Sequence, residues 1–412
     1  MNVEEARRLT HPRAVMIQTT SRCNAACVMC PHPQIVKSMP QGDMSDELFA
    51  RLLDEIATFP QLQRVMLYLM NEPLLDPQIA TRIKRTRAAL PDVELYIISN
   101  GIALTERRSD ELLDAGLTWI GFSLHAIRPD TYKAISGRGD FTRVRDNIIH
   151  HVKKSLKRHG DDSVMVNLTR IQPFVSDEEW NEAIAFWRDL GLKRLDLVDG
   201  YISRAGNVDV HGHEPLDHPG ILGCRTVWAY EMAHVLFDGS VIPCCMDYRR
   251  QAVWGNAGDE GLLAVWQSTA RRNFLDCMDG RALPDDFLCR HCEDAIPAAL
   301  PKQEDETTSS AADAGPDFLL VFPPPWLIDS PPLGPAALLA WLEREGFNAG
   351  IYDANIELFH HVAPALRETW EWEKGLVWED AAQVDELFGD ALRRMTAEIG
   401  RASCRERVYG LV

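Results

Sequence analysis

Between Ala14 and Gly200 short β-rich runs alternate with amphipathic helical stretches, a rhythm that only a few architectures can satisfy. The runs are 14–20 (AVMIQTT), 64–70 (RVMLYLM), 93–99 (VELYIIS), 119–124 (WIGFSL), 164–171 (VMVNLTRI) and 194–200 (RLDLVDG). Between the first two, Leu48, Leu52, Leu53 and Ile56 recur at helical spacing behind Ser45, a residue type suited to an N-cap. Such alternation demands a parallel sheet with helical crossovers. Six units fall two short of the eight needed for closure. The expected fold is therefore α/β, an open partial (β/α)6 TIM-like barrel over residues 1–204.

Ten cysteines punctuate this plan, at 23, 27, 30, 224, 244, 245, 277, 289, 292 and 404. The N-terminus has no apolar stretch to serve as a signal peptide, and no run is long enough to span a bilayer. A cytoplasmic setting is expected, where disulfides are disfavoured and clustered cysteines point to metal. The net charge of −18 is uneven, with 20 acidic and 9 basic side chains in residues 301–412. Neither part has the basic surplus that phosphate neutralisation requires, so nucleic acid and membrane are not expected partners.

Cys23, Cys27 and Cys30 form a CxxxCxxC directly after the first strand, at the barrel face where functional loops gather. Three thiolates in one short loop can hold three irons of a 4Fe–4S cube and leave the fourth open to a small molecule. A zinc ion with His32 as fourth ligand is the competing reading. With these cysteines the chain resembles the radical S-adenosylmethionine (SAM) superfamily, and the likeness continues at successive strand ends. Met70-Asn71-Glu72-Pro73 stands where that family has Gly-Gly-Glu-Pro; Ser99-Asn100-Gly101 resembles its Thr-Asn-Gly, and Ser123-Leu124-His125 its Ser-Leu-Asp. The resemblance implies that the open iron binds SAM, with Asn71, Glu72, Ser99 and Ser123 lining it. It further implies an external one-electron reductant of the flavodoxin or ferredoxin type, and cleavage of SAM to a 5′-deoxyadenosyl radical. The glycines replaced by Met70 and Asn71 leave open how closely the backbone meets SAM.

Beyond Arg204 the texture becomes Gly-, His- and Pro-rich, and a smaller cysteine-rich α+β domain is expected over 205–300, with a helix near 261–275. Cys224, the segment from Gly239 to Cys244, and Cys289-Arg290-His291-Cys292 resemble the SPASM or twitch extension of radical SAM enzymes. That likeness implies Cys224, Cys244, Cys289 and Cys292 as ligands of one auxiliary 4Fe–4S cluster, making two clusters in all. A four-cysteine zinc site is the competing reading. Cys245 and Cys277 read as small buried hydrophobes, and His211, His213 and His218 as solvated loop histidines.

Residues 301–316 read as a linker and 317–398 as a truncated α/β segment, with strands near 318–326 and 346–355 and a helix at 338–345. That segment resembles the start of a cobalamin-binding domain of another radical SAM class. Residues 399–409 (IGRASCRERVY) resemble translated sequencing adapter, so 399–412 are expected to be non-native and Cys404 is left out of the site. Two substrate classes compete. Oxidation of a small molecule, as in aminocyclitol dehydrogenases, is preferred, because strand one begins at Ala14 with no leader-recognition domain ahead of it. Radical modification of a peptide or protein side chain is the alternative. Asp247, close to Cys244 in sequence, is the candidate proton acceptor for carbinol oxidation. A zinc-stabilised binding module without catalysis is the reading from another class; it leaves the strand-end fragments unexplained.

Overall fold

A computed structural model describes residues 6–298, apart from 201, 210, 211, 213, 214 and 281, and the backbone of 318–322 and 349–353. Residues 1–302 make one compact unit and 303–412 another.

The six expected strands form: β1 (Ala14–Ile17), β2 (Arg64–Met66), β3 (Glu94–Ser99), β4 (Trp119–Ser123), β5 (Val164–Arg170) and β6 (Arg194–Asp199). They pair in sequence order, all parallel. Crossover helices start at side-chain caps, since Ser45, Thr105 and Ser176 each accept the amide three residues on. Leu48, Leu52, Leu53 and Ile56 bury one face of the helix Asp46–Ile56, as their spacing requires. Strands alternate sides: Leu95 and Ile97 join the large core under the helices, while Tyr96 faces the lumen cluster with Met16, Met66 and Leu69.

The sheet does not stop at the sixth unit. The stretch after 204 supplies β7 (Ile221–Cys224), β8 (Met232–Val235), β9 (Ser240–Ile242), β10 (Gly255–Asn256) and β11 (Ala295–Pro297). β8 lies parallel to β1 on the edge opposite β2, and β9 and β10 follow antiparallel, giving nine strands in the order β10-β9-β8-β1-β2-β3-β4-β5-β6. The added strands cover the edge β1 would otherwise expose; β6 ends the sheet among the described residues. The helix expected near 261–275 is two pieces, Leu262–Trp266 and Thr269–Asp276, because Ser268 caps a fresh start.

β1 and β2 end earlier than their apolar runs. Gln18 donates its side-chain amide to the Leu69 carbonyl at 2.8 Å, and Met70 turns with φ +52°. In the second unit β12 (Phe318–Phe322) and β13 (Ala349–Asp353) pair in parallel; the helix expected between them and residues 399–412 lie outside the described residues.

Candidate functional site

The loop carrying Cys23, Cys27 and Cys30 is pinned from two directions. Ala26 and Val28 donate their amides at 2.9 Å to the carbonyls of Ser136 and Ile135, at the end of the helix Pro129–Ser136. Glu72 donates its amide to the Arg22 carbonyl at 2.9 Å. Gly137 closes the helix at φ +68°, and a Cβ there would sit 3.1 Å from that of Ala26, so the loop packs directly on the cap.

This anchoring brings the three thiols together. Burial pushes Cys23 up to about 11 and Cys27 up to about 12, the neighbouring thiols adding to both, and burial raises Cys30 as well. Such thiols keep their protons until a cation displaces them, so metal loading here releases protons. Asn100 points its amide at Cys23 Sγ, 3.8 Å away, and at Asn24 Oδ1, 2.9 Å away.

A cavity of about 370 Å³ opens beside Cys27, lined by Asn100, Ser123, His125 and Tyr132 among others. Ser123 stands level with Asn167 and Asp196 across β4, β5 and β6, and Asn167 donates to Asp196 at 2.5 Å. His125 Nδ1 accepts the Thr169 amide at 3.1 Å, which leaves its proton on Nε2. Burial, with the Arg204 charge adding, lowers His125 to about 4, so it is neutral.

Glu72, 1% exposed, ties two loops together rather than facing the cavity. Its carboxylate accepts from Leu74 N (2.9 Å), Ser99 Oγ (2.8 Å) and Asn100 N (2.7 Å). Burial nevertheless raises it to about 7, against those three hydrogen bonds. Ser99 passes the network on by accepting Gly101 N at 3.0 Å. Asn71 Oδ1 accepts Leu69 N at 2.7 Å, while its buried Nδ2 has no partner among the described residues. Of the four residues expected to line SAM, Ser123 alone is among those bordering the cavity at Cys27.

The second cysteine group assembles from three separate segments. Cys224 ends β7, where register pairs it with Ala295; Cys244 follows β9; Cys289 lies in the turn Leu288–His291 and Cys292 caps it. All four line one chamber of about 350 Å³ with Thr226, Met246 and Asp294. Burial raises Cys224, Cys289 and Cys292, and the adjacent Cys245 thiol together with burial raises Cys244. Cys245 packs against both the lumen cluster and the core and stays out of the chamber lining, and Cys277 packs against the core. Asp247 is fully buried with its carboxylate accepting Gln251 N (2.7 Å) and Ala252 N (3.1 Å), so it stitches its own loop. His211 and His213 lie outside the described residues.

Among the described residues no three His, Cys, Asp or Glu side chains gather as one metal ion would gather them. Zinc wants four ligands at about 2.3 Å. Three thiols in one loop and four around one chamber are the soft donors that iron–sulfur groups would use.

Sequence reasoning passed over Arg204 and Tyr248. The Tyr248 hydroxyl sits 4.0 Å from Cys30 Sγ across 218 residues of chain, a meeting no local motif announces. Asn100 and His125 stood inside the quoted tripeptides, where the neighbouring serines were singled out instead.

An open α/β barrel with three thiols in the loop after its first strand and a four-thiol chamber is a thiol-rich metalloprotein architecture. Residues 17–200 match the family model of the radical SAM superfamily, and residues 224–293 that of SPASM, an iron–sulfur cluster-binding domain. The chain thus carries a radical SAM domain, which implies a 4Fe–4S cluster and SAM, followed by an iron–sulfur cluster-binding domain. It is 34% identical over 131 residues to the GTP 3′,8-cyclase of Desulforamulus reducens, a stretch covering 31% of this chain and 39% of that enzyme's length. It is 22% identical over 278 residues to the SAM-dependent 2-deoxy-scyllo-inosamine dehydrogenase of Niallia circulans, covering 68% of this chain and 91% of that one. Streptococcus suis SuiB bound to its precursor peptide SuiA shares the fold, with a TM-score of 0.51 and 13% identity over 71% of this chain and 73% of that one. No helix among the described residues is long and apolar enough to cross a membrane.

Proposed function

We propose that Cys23, Cys27 and Cys30 hold a 4Fe–4S cluster that binds SAM, that Cys224, Cys244, Cys289 and Cys292 hold a second cluster, and that the chain oxidises a small molecule by hydrogen-atom abstraction. The observation that carries this reading is the meeting of the strand-one, strand-three and strand-four ends at the cavity beside Cys27. When bound, the clusters and SAM supply the radical chemistry; the chain binds, orients and excludes water. Glu72 and Ser99 hold the loops after β2 and β3 to each other, which fixes the Asn71 backbone against the cysteine loop. Ser123, Asn167 and Asp196 present a polar row at the lumen mouth, suited to a substrate bearing hydroxyl or amino groups. The length shared with the aminocyclitol dehydrogenase supports a small polar substrate.

Anaerobic reconstitution of the full chain, with a metal count and a dithionite-driven assay for 5′-deoxyadenosine, tests the reading. About eight irons per chain with 5′-deoxyadenosine released is the expected result. About four irons with cleavage would place zinc on the second cysteine group. Bound zinc with neither iron uptake nor cleavage would overturn the proposal.

A further inference from the structure

Residues 203–206 link the last barrel strand to the cysteine-rich segment, and they turn in a costly way. Arg204, Ala205 and Gly206 take φ of +50°, +54° and +75°. Two of these three carry a Cβ that resists the left-handed conformation, so something outside the turn must hold it. One carboxylate does so. Glu293 Oε1 accepts Ser203 N (3.1 Å) and Arg204 N (2.9 Å), while Oε2 accepts Ser203 Oγ (2.7 Å) and Ala205 N (3.0 Å). A Cβ on Gly206 would come within 2.9 Å of His291 Cβ, so the turn lies hard against the Cys289–Cys292 segment. Glu293 is the residue immediately after Cys292.

The turn delivers the Arg204 side chain to the first cysteine loop. Its charge acts on Cys27 and Cys30, and on Cys245 at the lumen cluster. It also acts on Tyr248, whose hydroxyl approaches Cys30. Arg204 Nε is buried and makes no hydrogen bond among the described residues. A guanidinium cannot discharge at any working pH, so it is a fixed positive charge.

We infer that Glu293 is a positioning residue that holds Arg204 as a fixed charge beside the first cysteine group, and thereby sets how readily the Cys23–Cys27–Cys30 site accepts an electron. This rests on the cluster reading proposed above. A thiolate-bound cluster gains negative charge on reduction, and a nearby fixed cation stabilises the more negative state. Removing the cation, or releasing the turn that aims it, makes the site harder to reduce.

The test is a redox titration of the reconstituted full-length protein followed by electron paramagnetic resonance, beside iron counts for every variant. Arg204→Gln is expected to lower the reduced-to-oxidised ratio of the first cluster about tenfold at a fixed applied potential, a midpoint drop of about 59 mV for one electron. Arg204→Lys keeps the charge and should shift much less. Glu293→Ala should move the midpoint the same way, and added to Arg204→Gln should move it no further, because it acts through Arg204. If Glu293→Ala fails to load its second site, the two Arg204 variants decide. An unshifted Arg204→Gln, or a Glu293→Ala effect that adds fully to it, overturns the inference while a loaded, SAM-cleaving wild type leaves the cluster reading standing. A wild type that takes up no iron overturns both.

Discussion

Glu72 is a carboxyl caught between two opposing demands, and its substitution by glutamine separates them. Burial lifts it from the usual 4.5 to about 7, although Asn100 N, Leu74 N and Ser99 Oγ all donate to it. Between those two values the folded chain holds a proton that the unfolded chain has lost. The folded state therefore binds more protons, and stability must fall as pH rises through the window. A shift of about 2.5 units at 1.36 kcal/mol each costs about 3 kcal/mol once the group is ionised. Of this, about 2 kcal/mol is lost between roughly pH 5.5 and pH 8.5. Glu72→Gln removes that dependence. It also turns an amide NH2 toward donors, which costs about 1–3 kcal/mol at every pH. The variant should thus be less stable at the acid end and close much of the gap at the alkaline end. Urea denaturation of both proteins without metal, anaerobic and fully reduced, measures this; the thiols titrate in both and cancel. Equal losses of stability across the window, within about 0.5 kcal/mol, would refute a raised Glu72.

Other expectations follow from single contacts. Cys224→Ala should lower bound iron from about eight to about four per chain, while Cys245→Ser, outside the chamber lining, should leave the count unchanged. Arg82, 2% exposed, pairs with Asp76 at 3.0 Å, donates to the Met44 carbonyl and lies over Phe49. Arg82→Met should cost about 3–5 kcal/mol in urea denaturation by stranding buried Asp76, and a loss under 1 kcal/mol would count against that pairing. Ser99→Ala strands Gly101 N and removes one donor to Glu72, with an expected loss of about 1–3 kcal/mol by the same measurement. In the loaded enzyme Ser99→Ala should also weaken SAM binding through the displaced Asn71–Glu72 backbone; unchanged affinity by calorimetry would show that the loop holds without it.

What the sequence settles by itself is whatever depends on periodicity and short spacing. Period-two and period-3.6 patterns are local, so all six barrel strands and the helix Asp46–Ile56 were legible, as were the two strands of the second unit. The first cysteine group was legible for the same reason, since CxxxCxxC keeps its three thiols within one loop, whereas the four-thiol set comes from three segments and was implied only by the family resemblance. Apolar runs overstate strands, however, and β1 and β2 stop where Gln18 and Met70 find partners or conformations that hydrophobicity does not encode.

The tertiary structure decided everything that depends on long chain separation. It joined β8 to β1, left Cys245 out of the chamber lining that Cys244 joins, and committed Asp247 to its own loop. It also spent Glu72 and Ser99 on each other and carried Tyr248 and Arg204 to the first cysteine loop. None of these could be read in advance, because a side chain's role depends on which donors and charges surround it after folding. Those neighbours come from segments up to about two hundred residues away, where no local pattern constrains them.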